Sequence, residues 1–141
     1  MNEKKHVIPF VNCGLEVPVI KVSIDGKELL AVVDTGCEDG LFSDTLSDKV
    51  QEWYDTNVNL VAFSGDYAVK KIAKFSLSIE DKSGKSTEFA AFGYVADMTA
   101  ISANLSGRIG KDTEISVILG GLFLDEHNCI IDYEKKELII Q

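Results

Sequence analysis

Leu29-Leu30-Ala31-Val32-Val33-Asp34-Thr35-Gly36-Cys37-Glu38-Asp39-Gly40-Leu41-Phe42-Ser43 is the stretch on which the fold turns. Five continuous apolar residues read as a β-strand covered on both faces. They deliver an acid, a hydroxyl and a glycine, and three acidic or thiol side chains follow before the chain turns apolar again. A carboxylate at the end of a doubly buried strand must be held by hydrogen bonds or do chemistry, because an unpaired buried charge is costly. Gly36 allows backbone to approach the carboxylate closely, and Thr35 supplies a hydroxyl for neighbouring main chain.

Outward from this stretch the period is mostly two. Ile20, Val22 and Ile24 alternate with Lys21, Ser23 and Asp25. Asp25-Gly26 then supplies the tight turn that pairs this strand with Leu29–Val33. Phe75, Leu77 and Ile79 alternate with polar residues, Asp81–Lys85 turns the chain, and Thr87–Ala96 returns as a second hairpin. Ile115–Leu119, Cys129–Tyr133 and Glu137–Ile140 are three further strands. Helical signal is sparse. Leu46, Val50 and Trp53 stand at i, i+4, i+7 behind Ser43 or Asp44 as a cap. A second short helix is expected over Leu122–His127. Met98–Thr113 shows no clear period and reads as a long loop with room for one helical turn. The expected class is mainly β, a small closed barrel or folded sheet with one or two short helices.

The 141 residues give room for one domain, expected to span 1–141, with a core that needs no metal or disulfide. No apolar run approaches the ~20 residues of a membrane span, and no apolar signal core follows the first five residues. Three cysteines without a CxxC make no disulfide framework, so a reducing, cytoplasmic setting is expected. A formal charge of −9 works against binding a phosphate backbone, and nucleic acid is not an expected partner. His6 and His127 have no ligand partner at i+3 or i+4, and Asp34, Glu38 and Asp39 miss the calcium-loop register, so no metal or cofactor is expected. Phosphoaspartate chemistry would want a second acid two residues after Asp34, where Gly36 stands.

Taken in order, three pieces resemble the retropepsin-like aspartic proteases. The first is the apolar strand with Asp34-Thr35-Gly36, a small residue at Cys37, then Leu41-Phe42-Ser43. The second is Ile115-Ser116-Val117-Ile118-Leu119-Gly120 leading into Gly121-Leu122-Phe123-Leu124. The third is Ile130-Ile131-Asp132-Tyr133 with its turn into a last strand. The resemblance runs from about Val17 onward. It implies a β fold of the retropepsin type in which the strand ending at Gly120 crosses the loop bearing Asp34. It also implies an aspartic-type endopeptidase with Asp34, Thr35 and Gly36 as catalytic residues. A flap hairpin around Phe63–Tyr67 would bring Ser64, Gly65 and Asp66 to a peptide or protein substrate.

That chemistry needs two carboxylates sharing one proton, since like charges about 3 Å apart do not ionise together. The chain has one Asp-Thr-Gly and no second copy of it, so the expectation is a homodimer that pairs Asp34 with its own mate. The apolar Leu138-Ile139-Ile140 also fits a strand tucked into a core or a shared sheet. Two other readings stand beside the enzyme. One is a non-catalytic dimerisation or peptide-binding module of the same fold. The other takes Asp34 as a turn former that caps backbone N–H groups. Cys37 reads as a small residue in a site where thiol chemistry is opposed by Glu38 and Asp39. Cys129 reads as core and Cys13 as a loop thiol. Gly121 and Leu122 depart from the family pattern, which has a charged residue and Asp there.

Overall fold

A computed structural model describes residues 5–14, 16–55, 59–62, 65–68, 71–109 and 114–141; the side chains of 59–62, 65–68 and 105–109 lie outside that description. Alternation fixes the first hairpin. Strands β2 (Val19–Ile24) and β3 (Lys27–Val33) pair from Val19↔Val32 to Ile24↔Lys27. Asp25 and Gly26 both take positive φ (51° and 82°), which matches the right-handed twist of the flanking strands. The second hairpin joins β8 (Lys71–Glu80) to β9 (Ser86–Ala96) through eight paired positions. The Asp81 carboxylate organises its turn by accepting from the N–H groups of Ser83 (2.9 Å) and Lys85 (3.1 Å).

Two short strands complete the cylinder: β4 (Gly40–Ser43) and β10 (Val117–Leu119). The order β2-β3-β10-β4-β9-β8 returns to β2 through the pair Ser23↔Ser78, so six strands close into a barrel. A short strand, β5 (Glu52–Asp55), hangs on the outer side of β8. Strands β6 (Asn59–Ala62) and β7 (Gly65–Ala68) form a separate two-stranded sheet. A third sheet places β12 (Glu137–Ile140) between β1 (His6–Pro9) and β11 (Ile130–Asp132). Leu138 and Ile140 on β12 are fully buried. The apolar last strand is therefore tucked into this chain's own core, with both of its edges occupied by its own neighbours.

Two apolar layers result from the alternation along β3. Leu29, Ala31 and Val33 face the interior with Phe42, Phe75, Leu77 and Val117, where the Phe42 and Phe75 rings stack at 4.1 Å. Val32 belongs to a second layer with Val19, Leu41, Tyr94, Ile115 and Ile118. Met98 and Ile101 close this second layer, and they bring the first of two corrections. The stretch read as a loop from Met98 holds an 11-residue helix, α1 (Thr99–Ile109). Asp97 accepts from Thr99 N–H (2.9 Å) at its start, and the Ser102 hydroxyl accepts from Ile115 N–H (3.1 Å).

The second correction concerns Leu46, Val50 and Trp53. Ser43 does cap as expected, its Oγ accepting from Thr45 N–H, but the element is one 3-10 turn over Asp44–Lys49. Val50 is already extended, and Trp53 lies on β5, 46% exposed. Pairing with β8 supplies β5 with main-chain partners that a second helical turn would have forgone. The other expected helix is present as α2 (Gly121–Glu126). No helix among the described residues is long and apolar enough to cross a membrane.

Candidate active site

The loop that carries Asp34 leaves β3 and returns as β4, and β10 runs between these two strands, parallel to one and antiparallel to the other. Asp34 N–H donates to Leu119 O (3.0 Å), which continues the β3–β10 ladder one residue beyond Val33. At Leu119 the chain passes beneath the loop. A Cβ on Gly120 would stand 2.4 Å from Cys37 O and 2.6 Å from Asp39 O, so only glycine fits this crossing. The chain then enters α2, where Gly121 N–H donates to Cys37 O (2.7 Å) and Leu122 N–H to Glu38 O (2.9 Å). Two of the N–H groups that a helix start leaves without intrahelical partners are thereby used to hold the loop.

Asp34 sits half-buried at this crossing. Its Oδ1 accepts from Gly36 N–H (2.9 Å), and its main-chain oxygen accepts from Cys37 N–H (3.2 Å). Among the described residues Oδ2 has no partner in the chain, and neither has the Thr35 hydroxyl, which is exposed. The carboxylate is thus oriented by one bond and otherwise open. Cys37 packs against the second apolar layer and donates its S–H to Asp39 O (2.6 Å). Burial, then the carboxylates of Asp34 and Asp39, push its thiol above the ordinary value, so it stays protonated beside Asp34. Burial and then Glu38 likewise raise the Asp39 carboxyl.

Asp34, Thr35 and Gly36 are brought together in one turn at the surface. Gly65 and Asp66 lie on β7, paired with Ala62 and Val61 of β6, so Gly65 is the first paired residue of this hairpin. Ser64 lies outside the described residues. His127 is the C-terminal cap of α2, with Nε2 2.9 Å from Ala90 O, and His6 stands 3.6 Å from Asp81. Cys129 packs against the interior core, and burial lifts its thiol to about 11.

The closed barrel, the strand passing under the Asp34 loop and the short helix behind it make one arrangement. The chain is similar in fold to retropepsin-like proteases. The retroviral protease-like domain of Ddi1 from Leishmania major matches with a TM-score of 0.49 and 14% identity, over 90% of this chain and 89% of that one. A retropepsin-like aspartic protease from Rickettsia conorii matches at 0.48 and 19%, over 99% and 96%. EIAV protease, solved with the inhibitor HBY-793, matches at 0.46 and 19%, over 82% and 93%. No protein-family model matches the chain, and no curated protein matches it in sequence.

Two features beside the site escaped the sequence reading. Helix α1, whose Ile101 shares a layer with Cys37 and with Met98 just before the helix, left only a weak signal in the spacing Met98, Ile101, Leu105, Ile109 behind Asp97 as a cap. Leu122, 41% exposed next to the acidic loop, had no signal beyond its departure from the family pattern.

Proposed function

We propose that residues 1–141 form one retropepsin-like domain that hydrolyses peptide bonds in peptide or protein substrates, as an aspartic-type endopeptidase acting as a homodimer in the cytoplasm. The observation that carries this reading is Asp34 itself. Its carboxylate stands half-buried at a crossing of three strands, one oxygen fixed by Gly36 N–H and the other without a partner among the described residues. A partly exposed carboxylate needs no internal partner for its second oxygen, so it is the place of Asp34 at the strand crossing that sets it apart from the turn-forming Asp97 and Asp132.

One such acid does not complete the reaction. With two copies of Asp34 facing across a two-fold axis, a single proton is shared between them. The ionised carboxylate takes a proton from a bound water whose oxygen attacks the peptide carbon. The protonated one gives its hydrogen to the carbonyl oxygen, and the C–N bond breaks as the amine leaves with a proton. The pair titrates as a unit, with apparent values belonging to neither copy alone. Gly36 N–H holds the carboxylate in orientation, and the exposed Thr35 hydroxyl is free to bond main chain of the second copy. The β6–β7 hairpin, with Ser64, Gly65 and Asp66, serves as the flap that closes over substrate. No cofactor or metal takes part, and the −9 charge leaves nucleic acid outside the partners.

The test is cleavage of a peptide mixture by the full chain and by Asp34→Asn, read by mass spectrometry. The variant keeps its Oδ1 acceptor and its fold but loses roughly 10²–10⁴-fold in rate, the usual size of a lost acid–base group. Cleavage by Asp34→Asn at the rate of the parent would overturn the assignment.

A further inference from the structure

The seam between β2 and β8 holds one residue pair, Ser23↔Ser78. Which main-chain groups face that seam follows from the bonds around it, because alternate residues of an antiparallel strand turn their N–H and C=O to opposite edges. On β2, Val19 O accepts from Val11 N–H (2.7 Å), while Pro18 O, one residue earlier, accepts from Val33 N–H of β3 (2.9 Å). Val19, Lys21 and Ser23 therefore turn toward the seam. On β8, Ser78 and Glu80 do the same: Asp81 N–H donates across the hairpin to Lys85 O, and Lys82 N–H donates the other way, to Val7 O (2.8 Å). Beside β12, Phe10 N–H donates to Lys136 O, which leaves the main chains of Val7, Pro9 and Val11 directed outward from that sheet.

In the register of Ser23↔Ser78, the next residues to meet across the seam are Lys21 and Glu80, and among the described residues they are not paired. The two strands part there. Val7–Val11 enters between them as a wedge, Val7 taking Lys82 and Val11 taking Val19. Within these fastenings lies a cavity of about 280 Å³, lined by Pro9, Lys21 and Glu80 together with Ile8, Phe10, Val11 and Val22. Main chain from three strands thus converges on one space. Lys21 and Glu80 each bring an N–H and a C=O, whereas Pro9 brings a C=O and has no N–H, so the wedge cannot complete the ladder itself. Water can satisfy such groups singly, but it leaves the apolar wall wet.

An occupant that suits this space donates and accepts along one extended line and carries apolar bulk. A secondary amide in an extended chain does both. We propose that the cavity is a binding site for a short extended peptide, which joins Lys21 of β2 to Glu80 of β8 as an added rung and lays an aliphatic side chain against Ile8, Phe10 and Val22. The site contains no residue of the Asp34 loop and is independent of the proteolytic reading. The experiment is amide exchange on the full chain with the blocked dipeptide N-acetylvalylvaline methylamide. At roughly 10 mM probe and a Kd of about 1 mM, the N–H groups of Lys21 and Glu80 should exchange about 10-fold more slowly, with those of Gly36 and Cys37 unchanged. An analogue whose central amide is replaced by an ester lacks one donor and should bind about 5-fold more weakly, the size of one net hydrogen bond. Lys21→Pro removes an N–H directed at the cavity while keeping the β2–β3 bonds, and should weaken the probe by a similar factor. The ester comparison needs only the parent chain, so it decides the matter even where Lys21→Pro does not fold. No slowing at Lys21 and Glu80, slowing at Gly36 and Cys37 in their place, equal binding of amide and ester, or undiminished binding by folded Lys21→Pro overturns the site.

Discussion

The two faces of β3 are covered in different ways. Its inward side chains, Leu29, Ala31 and Val33, meet strands that are themselves rungs of the barrel, and Phe42 and Phe75 stack there at 4.1 Å. Its other face, with Val32, is covered by Met98 and by Ile101 of the helix that follows it, which is anchored at its first turn. Interior packing is held from all sides by the ladder, so a void there cannot collapse. The second layer has a cover that can resettle, and Cys37, beside Asp34, belongs to that layer. The site is thus built on a rigid floor and flanked by an adjustable roof.

The largest break in this comparison should come from Phe42→Ala. Loss of a fully buried, stacked ring is expected to cost about 3–5 kcal/mol, measured by urea unfolding, with the whole barrel losing stability together. Ile101→Ala removes three side-chain carbons from the roof and should cost about 2 kcal/mol, at the low end for such a change, because α1 can move inward. Amide exchange should locate this second loss in α1 and leave β8 and β9 protected. Equal costs for the two variants would erase the distinction.

Acid sharpens it further. The Thr99 hydroxyl and N–H hold the Asp97 carboxyl below its ordinary value. A carboxyl with a depressed folded pKa contributes stability above the unfolded value, and that contribution is lost as pH falls through the folded one. Below about pH 4, therefore, α1 should lose amide protection before the barrel interior does. Asp97→Ala should lower the protection of α1 at neutral pH and remove the acid step.

How far the sequence could be read follows from the same contrast. Ile20–Ile24, Phe75–Ile79 and the turns at Asp25-Gly26 and Asp81–Lys85 announce themselves because period and turn chemistry are local. Leu46, Val50 and Trp53 carried a helical spacing, but the strand partner on β8 took Trp53 into a sheet that the sequence does not display. Helix α1 was overlooked because its apolar residues are thinly spread among Ser, Gly and Asn, with little amphipathic contrast. At the site, Asp34, Thr35 and Gly36 were evident from the strand they terminate. The clamp made by Gly121 and Leu122 N–H groups on Cys37 and Glu38 was not, since it joins residues more than eighty positions apart.

Strands β2 and β8 meet at one residue pair, Ser23 and Ser78, where the Ser23 hydroxyl reaches Ser78 O at 3.4 Å. A cylinder fastened by a single clasp has a preferred line of tearing. Heat or pulling should part the wall along that line first, uncurling it into an open ribbon while the crossing under Asp34, on the far side of the ring, is still intact.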